Sequence, residues 1–246
     1  MCIRDSLFPE IATLRVWNTT NPLTGLPVVS AAMGSIERRN DAYLWRDDIW
    51  SVTDLAASGI DAAQMRVITA DVNGDGSGDL VISAPTPASV IATGGGQSGI
   101  WVALSEKRNW VKKRIQDPVL GAPQLVGTST AALNEISLTV WDQNADDRDE
   151  VALFAPTVDG RLELSLLSAP RTGGAPSISS WWSSDPLLGS YSAGSINSTV
   201  QPLGPQRDPA DGRRALRSEL IIEVNLGGQQ RTLAISGAAP NSAAAR

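Results

Sequence analysis

The run Asp71-Val72-Asn73-Gly74-Asp75-Gly76-Ser77-Gly78-Asp79-Leu80 decides how this chain is read. Oxygen-bearing side chains stand at positions 1, 3, 5 and 9 of the run, with glycines between them. A hard cation such as calcium takes about six to eight oxygen ligands at short range, and a tight glycine-rich turn lets them converge. Three carboxylates held together without a cation repel one another, so the spacing predicts a calcium loop. The plainer alternative is a solvated Asx/Gly turn between two strands.

The flanks say which kind of loop this is. An EF-hand needs a bidentate Glu at position 12 and a helix leaving the loop. Position 12 is Ile82, inside the apolar, partly β-branched run Leu80 to Pro85, which reads as a strand closed by proline. Upstream, Met65 to Ala70 also reads as a strand. The motif is a strand–loop–strand connection, and neither an EF-hand nor a helical dockerin repeat fits.

A second copy begins at Asp142, which lies 71 residues after Asp71. Asp142, Asn144, Asp146 and Glu150 fall on Asp71, Asn73, Asp75 and Asp79 without a gap, and Val151 to Pro156 matches Leu80 to Pro85. Gly76 becomes Asp147, which tolerates a left-handed turn less readily, so the second loop is expected to bind more weakly. A third, eroded copy from Asp211 sets Glu219 to Ile222 in the register of Asp79 to Ile82, the alternative being an ordinary polar loop before a strand. Arg213 and Ala215 replace ligand positions there, so no metal is expected.

Each copy is trailed by further strand-like segments, at Gly99–Ser105, Trp110–Ile115, Gly160–Leu167 and Arg231–Ser236; Ile11 to Trp17 reads as a strand of an earlier unit. Units of about 70 residues and roughly four strands suit a propeller blade better than a sandwich. The expected fold is all-β, with blades of four antiparallel strands in an incomplete propeller. Residues 65–135 and 136–205 form blades carrying the two loops. Residues 1–64 form a partial blade with a loop or short helical insertion at 53–64, and 206–246 a partial degenerate blade.

The pattern D-x-N-x-D-G-x-x-D-L before an apolar strand resembles the FG-GAP/VCBS repeat family, whose best-known fold is the integrin-alpha-type β-propeller. The resemblance implies calcium held by Asp71, Asn73, Asp75 and Asp79 with the Ser77 carbonyl. In the second copy it implies Asp142, Asn144, Asp146 and Glu150 with the Arg148 carbonyl. The Phe-Gly pair that names the FG-GAP repeat is absent before both loops, which brings the chain nearer the looser VCBS form.

Composition removes several functions. There is no histidine, so Ser-His-Asp and Cys-His catalysis and His-ligated metals are excluded. The net charge of −6, with no basic cluster larger than Lys112-Lys113-Arg114, argues against nucleic acid. No apolar run reaches the roughly 20 residues of a membrane-spanning helix, so no membrane insertion is expected. The single Cys2 forbids an internal disulfide, and extracellular calcium modules bind at about 10⁻⁴–10⁻³ M. Calcium as the staple of an exported or cell-surface protein fits both facts. The chain opens inside a unit, shows no apolar leader segment and ends without a closing strand, so further blades are expected beyond it.

Eight Trp stand against two Phe and two Tyr. If extended, adjacent Trp181 and Trp182 point to opposite faces, leaving one free to stack on a sugar; packing within or between blades is the simpler use. Gly94-Gly95-Gly96 lacks the Lys-Ser/Thr of a phosphate loop. The prominent carboxylates are taken by the loops, so the chain is expected not to be an enzyme. The reading is a calcium-binding propeller module for adhesion or scaffolding, with an unknown protein or glycan ligand. The alternative is a non-catalytic propeller segment of a secreted polysaccharide-active enzyme or of a bacterial toxin.

Overall fold

The computed structural model describes residues 10–39, 42–46, 55–75, 78–105, 110–111, 114–115, 120–143, 148–170, 174–184, 191–207, 214–226 and 229–236. The chain divides into two compact units, Met1–Thr128 and Ser129–Arg246. Both are built from antiparallel strands, and helix among the described residues is limited to single turns.

In the first unit, β1 (Glu10–Thr20), β2 (Pro27–Arg39) and β3 (Ala42–Arg46) form one antiparallel sheet. The segment expected as a loop or short helical insertion is two 3-10 turns, Leu55–Ser58 and Ala62–Gln64. Asp61 caps the second by accepting a hydrogen bond from the Ala63 amide at 3.0 Å. The insertion is part of the core, because Leu55, Ala56 and Ile60 are fully buried.

The second sheet of this unit runs in the order β4 (Arg66–Ala70), β5 (Asp79–Pro85), β6 (Ser98–Ala103) and β9 (Gln124–Ser129). A small hairpin of β7 (Trp110–Val111) and β8 (Arg114–Ile115) interrupts the passage from β6 to β9. Leu80, Ile82 and Ala84 on one face of β5 pack with Trp101, Leu55, Ile60 and Val29. Val81 and Ser83 on the other face are equally buried. A strand covered on both faces has no polar side, which is why Leu80-Val81-Ile82 does not alternate.

The second unit repeats the pattern with β10 (Ser137–Trp141), β11 (Glu150–Pro156), β12 (Leu162–Ser168) and β13 (Ser177–Ser183), every neighbouring pair antiparallel. These two four-stranded sheets are propeller-like blades. A further sheet holds β14 (Tyr191–Arg207), β15 (Arg214–Leu226) and β16 (Gln229–Ser236). Ala152 and Phe154 of β11 pack with Trp141, Leu164, Leu220 and Ile222 in one core. Val151 and Leu153, on the opposite face of β11, are buried as well.

Two expectations are corrected here. Trp181 and Trp182 do not divide between faces: Leu164 pairs with Trp182 and Ser165 with Ser180, which leaves Trp181 as the extra residue of a β-bulge. Such a bulge locally breaks the alternation of side chains, and both indoles pack against the same core. Trp181 meets Trp141 edge to face, ring centroids 5.7 Å apart. The third copy does not set Glu219 at the start of its strand either. Gln201↔Glu219 matches Ala70↔Asp79 and Trp141↔Glu150, but the ladder runs on to Arg207↔Arg214. Glu219 therefore lies mid-strand, and Asp211 and Arg213 fall outside the described residues.

Candidate metal centre

Both loops occupy the same place in their sheets. The last pair of β4 and β5 is Ala70↔Asp79, and that of β10 and β11 is Trp141↔Glu150, so the same number of residues separates the paired strands in each blade. The position-9 residue is thus the first residue of the second strand in each blade.

In the first loop the turn is made at Gly74, whose φ of 70° lies in the left-handed region. The Asp75 amide donates to Asp71 Oδ1 at 3.0 Å and to Asn73 Oδ1 at 2.9 Å. Oxygens from positions 1 and 3 therefore converge on one point of the backbone. Asp79 is fully buried. Its Oδ2 accepts from the Val72 amide at 3.1 Å, and its Oδ1 from the Ser105 amide at 2.8 Å and hydroxyl at 3.3 Å.

Burial pushes the Asp79 carboxyl up to about 8, and the charges of Asp75 and Asp71 add to the rise. The amides of Ser105 and Val72 pull the other way and are outweighed. Three carboxylates thus feel one another across this loop, the electrostatic situation that a divalent cation relieves. The donor set of hard oxygens fits calcium in chemistry. Among the described residues, however, no three Asp, Glu, Cys or His side chains are gathered closely enough to hold a metal. Ser77, whose carbonyl the resemblance implicates, lies outside the described residues, as does Gly76.

In the second loop Asp142 is half-buried, and Asn144, Asp146 and Asp147 lie outside the described residues. Glu150, 5% exposed, accepts from the Gln143 amide at 2.8 Å through Oε2. The Arg148 guanidinium donates to the Ala169 carbonyl at 2.9 Å, so its side chain reaches back to the end of β12. Sequence reasoning missed Ser105 and Ala169. Both are engaged through the backbone, which leaves no signature in residue type. The left-handed residue described in this loop is Gly74, and Gly76, at which a left-handed turn was expected, lies outside the described residues.

The FG-GAP repeat family model matches residues 65–102, which span β4, the first loop, β5 and β6. No curated protein matches the chain. A solved structure of an Agrocybe aegerita lectin, described as recognising non-reducing terminal N-acetylglucosamine, aligns at 11% identity and a TM-score of 0.29. The alignment covers 91% of this chain and 66% of that one, a likeness too loose to place any residue. The matched segment and its strand–loop–strand geometry coincide, and the chain thus carries an FG-GAP repeat whose first turn is the Asp71–Leu80 run.

Proposed function

We propose that this chain is a calcium-binding β-propeller module of a larger exported or cell-surface protein, serving adhesion or scaffolding. One observation supports the reading above others. In two separate blades the same number of residues lies between the last pair of the first and second strands, and a position-9 carboxylate, Asp79 or Glu150, closes each ladder. Calcium would be held by Asp71, Asn73, Asp75 and Asp79 with the Ser77 carbonyl, and by Asp142, Asn144, Asp146 and Glu150 with the Arg148 carbonyl. Bound there, it supplies positive charge to a cluster that otherwise repels itself.

The module's own ligand is a protein or a glycan. Trp181 and Trp182 both pack, partly buried, against the core of the second unit. Among the described residues no helix is long and apolar enough to cross a membrane.

Titration calorimetry of the chain with calcium tests the metal reading. Asp71→Ala and Asp75→Ala should weaken binding more than Asp142→Ala and Asp146→Ala, because Asp147 stands in the second loop where the first has Gly76 and accepts a left-handed turn less readily. The reverse order counts against the assignment, and absence of any binding heat removes it. A glycan array probed with the chain in calcium separates adhesion to sugars from scaffolding.

A further inference from the structure

We propose that the position-9 carboxylates, Asp79 and Glu150, are loop-closing residues that hold the two loops in shape whether or not a cation is bound. The proposal takes its loops from the reading above, but its argument lies in hydrogen bonds within each blade.

Each loop is tied at two places. The first tie closes its mouth, from the amide at position 2 to the carboxylate at position 9: Val72 to Asp79 at 3.1 Å, and Gln143 to Glu150 at 2.8 Å. The second tie anchors the loop to the exit of the third strand. Leu80↔Ala103 and Val151↔Leu167 place Ser105 and Ala169 at corresponding points, each opposite the residue that precedes the carboxylate. Ser105 donates its amide to Asp79 at 2.8 Å, whereas Ala169 accepts from Arg148 at 2.9 Å.

One carboxylate makes both ties in the first blade; Glu150 and Arg148 share them in the second. Different side chains reaching the same two backbone positions indicate that the positions themselves are what the fold requires. Asp79 and Glu150 are buried at 0% and 5% exposure, so water is poorly placed to replace them at these amides. The third hairpin supplies the contrast. Its ladder continues past Glu219 to Arg207↔Arg214, so Glu219 does not stand at the end of a ladder, and it is only half-buried.

The test is hydrogen exchange at the Val72 and Ser105 amides, with thermal melts, on the chain in chelator and in calcium. In chelator, Asp79→Ala should lower the melting temperature and speed exchange at both amides about tenfold, since each loses its buried acceptor. Asp79→Glu, which copies the residue used in the second blade, should restore part of the protection. Asp71→Ala should do far less in chelator, because the Asp75 amide keeps Asn73 Oδ1, and should act on the increment that calcium adds.

Equal chelator behaviour of Asp79→Ala and Asp71→Ala, with all loss confined to calcium, overturns the proposal. If Asp79→Ala does not fold, Asp79→Asn carries the test: it keeps one acceptor oxygen, and unchanged exchange at both amides overturns the idea. A wild-type melt indifferent to calcium would remove the cation reading alone. A chelator-state loss in the Asp79 variants would still stand for loop closure.

Discussion

Asp79 and Ser105 are 26 residues apart in the chain, and Asp79 Oδ1 accepts both the amide of Ser105, at 2.8 Å, and its hydroxyl, at 3.3 Å. The contact fastens the start of the second strand of a blade to the exit of its third. It also keeps a carboxylate in a place that water does not reach, and the group's acidity responds to that burial. The loop chemistry and the blade packing therefore meet in one side chain.

A pH dependence follows from this. The folded carboxyl holds its proton until about pH 8, against an ordinary value of 3.8, so between these values the folded chain binds a proton that the unfolded chain releases. The stability this contributes is complete below the unfolded value and is lost as pH rises through the folded one. In chelator, urea midpoints should fall from about pH 5 to about pH 8, and Asp79→Asn should flatten that fall. Identical profiles for the two proteins would show that Asp79 is not the group responsible.

Much of the blade was legible because its central strands are apolar and β-branched, as in Leu80-Val81-Ile82, and because the 71-residue offset repeats loop and strand together. The outer strands were not. Gln124–Ser129 and Ser177–Ser183 carry mostly polar residues along exposed edges, so burial imposes no alternation on them. The Trp181–Trp182 bulge was hidden for a related reason: one extra residue on an edge strand reverses the facing that period-two reasoning assigns. The loop's donors were readable as oxygen-bearing types. Their backbone partners, Val72, Ser105 and Ala169, were not, since any residue has an amide or a carbonyl to offer.

Gly74 is a position where the first loop tolerates little change. Its φ of 70° places an L side chain in the left-handed region, at a cost of roughly 1–2 kcal/mol. Gly74→Ala should lower stability by about that amount in chelator, while Gly74→Asn, which visits this region more readily, should lose less. Denaturant unfolding of the two variants gives the comparison. Equal losses would mean that the side chain, and not the backbone conformation, sets the penalty.

Gly99 is required for a different reason. A Cβ at this position would lie 2.6 Å from Cζ3 of the Trp101 indole, which covers the glycine on the same face of β6. Trp101 is almost wholly buried in the core of the first unit and has little room to retreat. Gly99→Ala is therefore expected to destabilise by about 1–3 kcal/mol through overpacking, with the Trp101 fluorescence altered in the folded state. Unchanged stability together with an unchanged emission spectrum would contradict the packing described around this indole.

Calcium, if bound only by the folded chain, acts on stability by mass action. At a concentration 100 times the dissociation constant the gain is about 2.7 kcal/mol per site. For a chain of this size each kcal/mol raises the melting temperature by roughly 2–4 °C, and filling both loops adds the two gains. Magnesium should substitute poorly, because it demands compact octahedral geometry and gives up its water reluctantly. The loop closure by Asp79 and Glu150 bears on the size of the effect. A loop already held at both ends has less conformational entropy to lose when the cation arrives, so it binds more tightly and gains more at a given calcium concentration. Melts in chelator, in magnesium and in millimolar calcium should therefore rank calcium well above the other two, which should lie close together. Asp71→Ala combined with Asp142→Ala should bring the calcium melt down to the chelator value. If the wild-type chain melts at one temperature in all three, the loops are acidic turns and the calcium assignment is withdrawn.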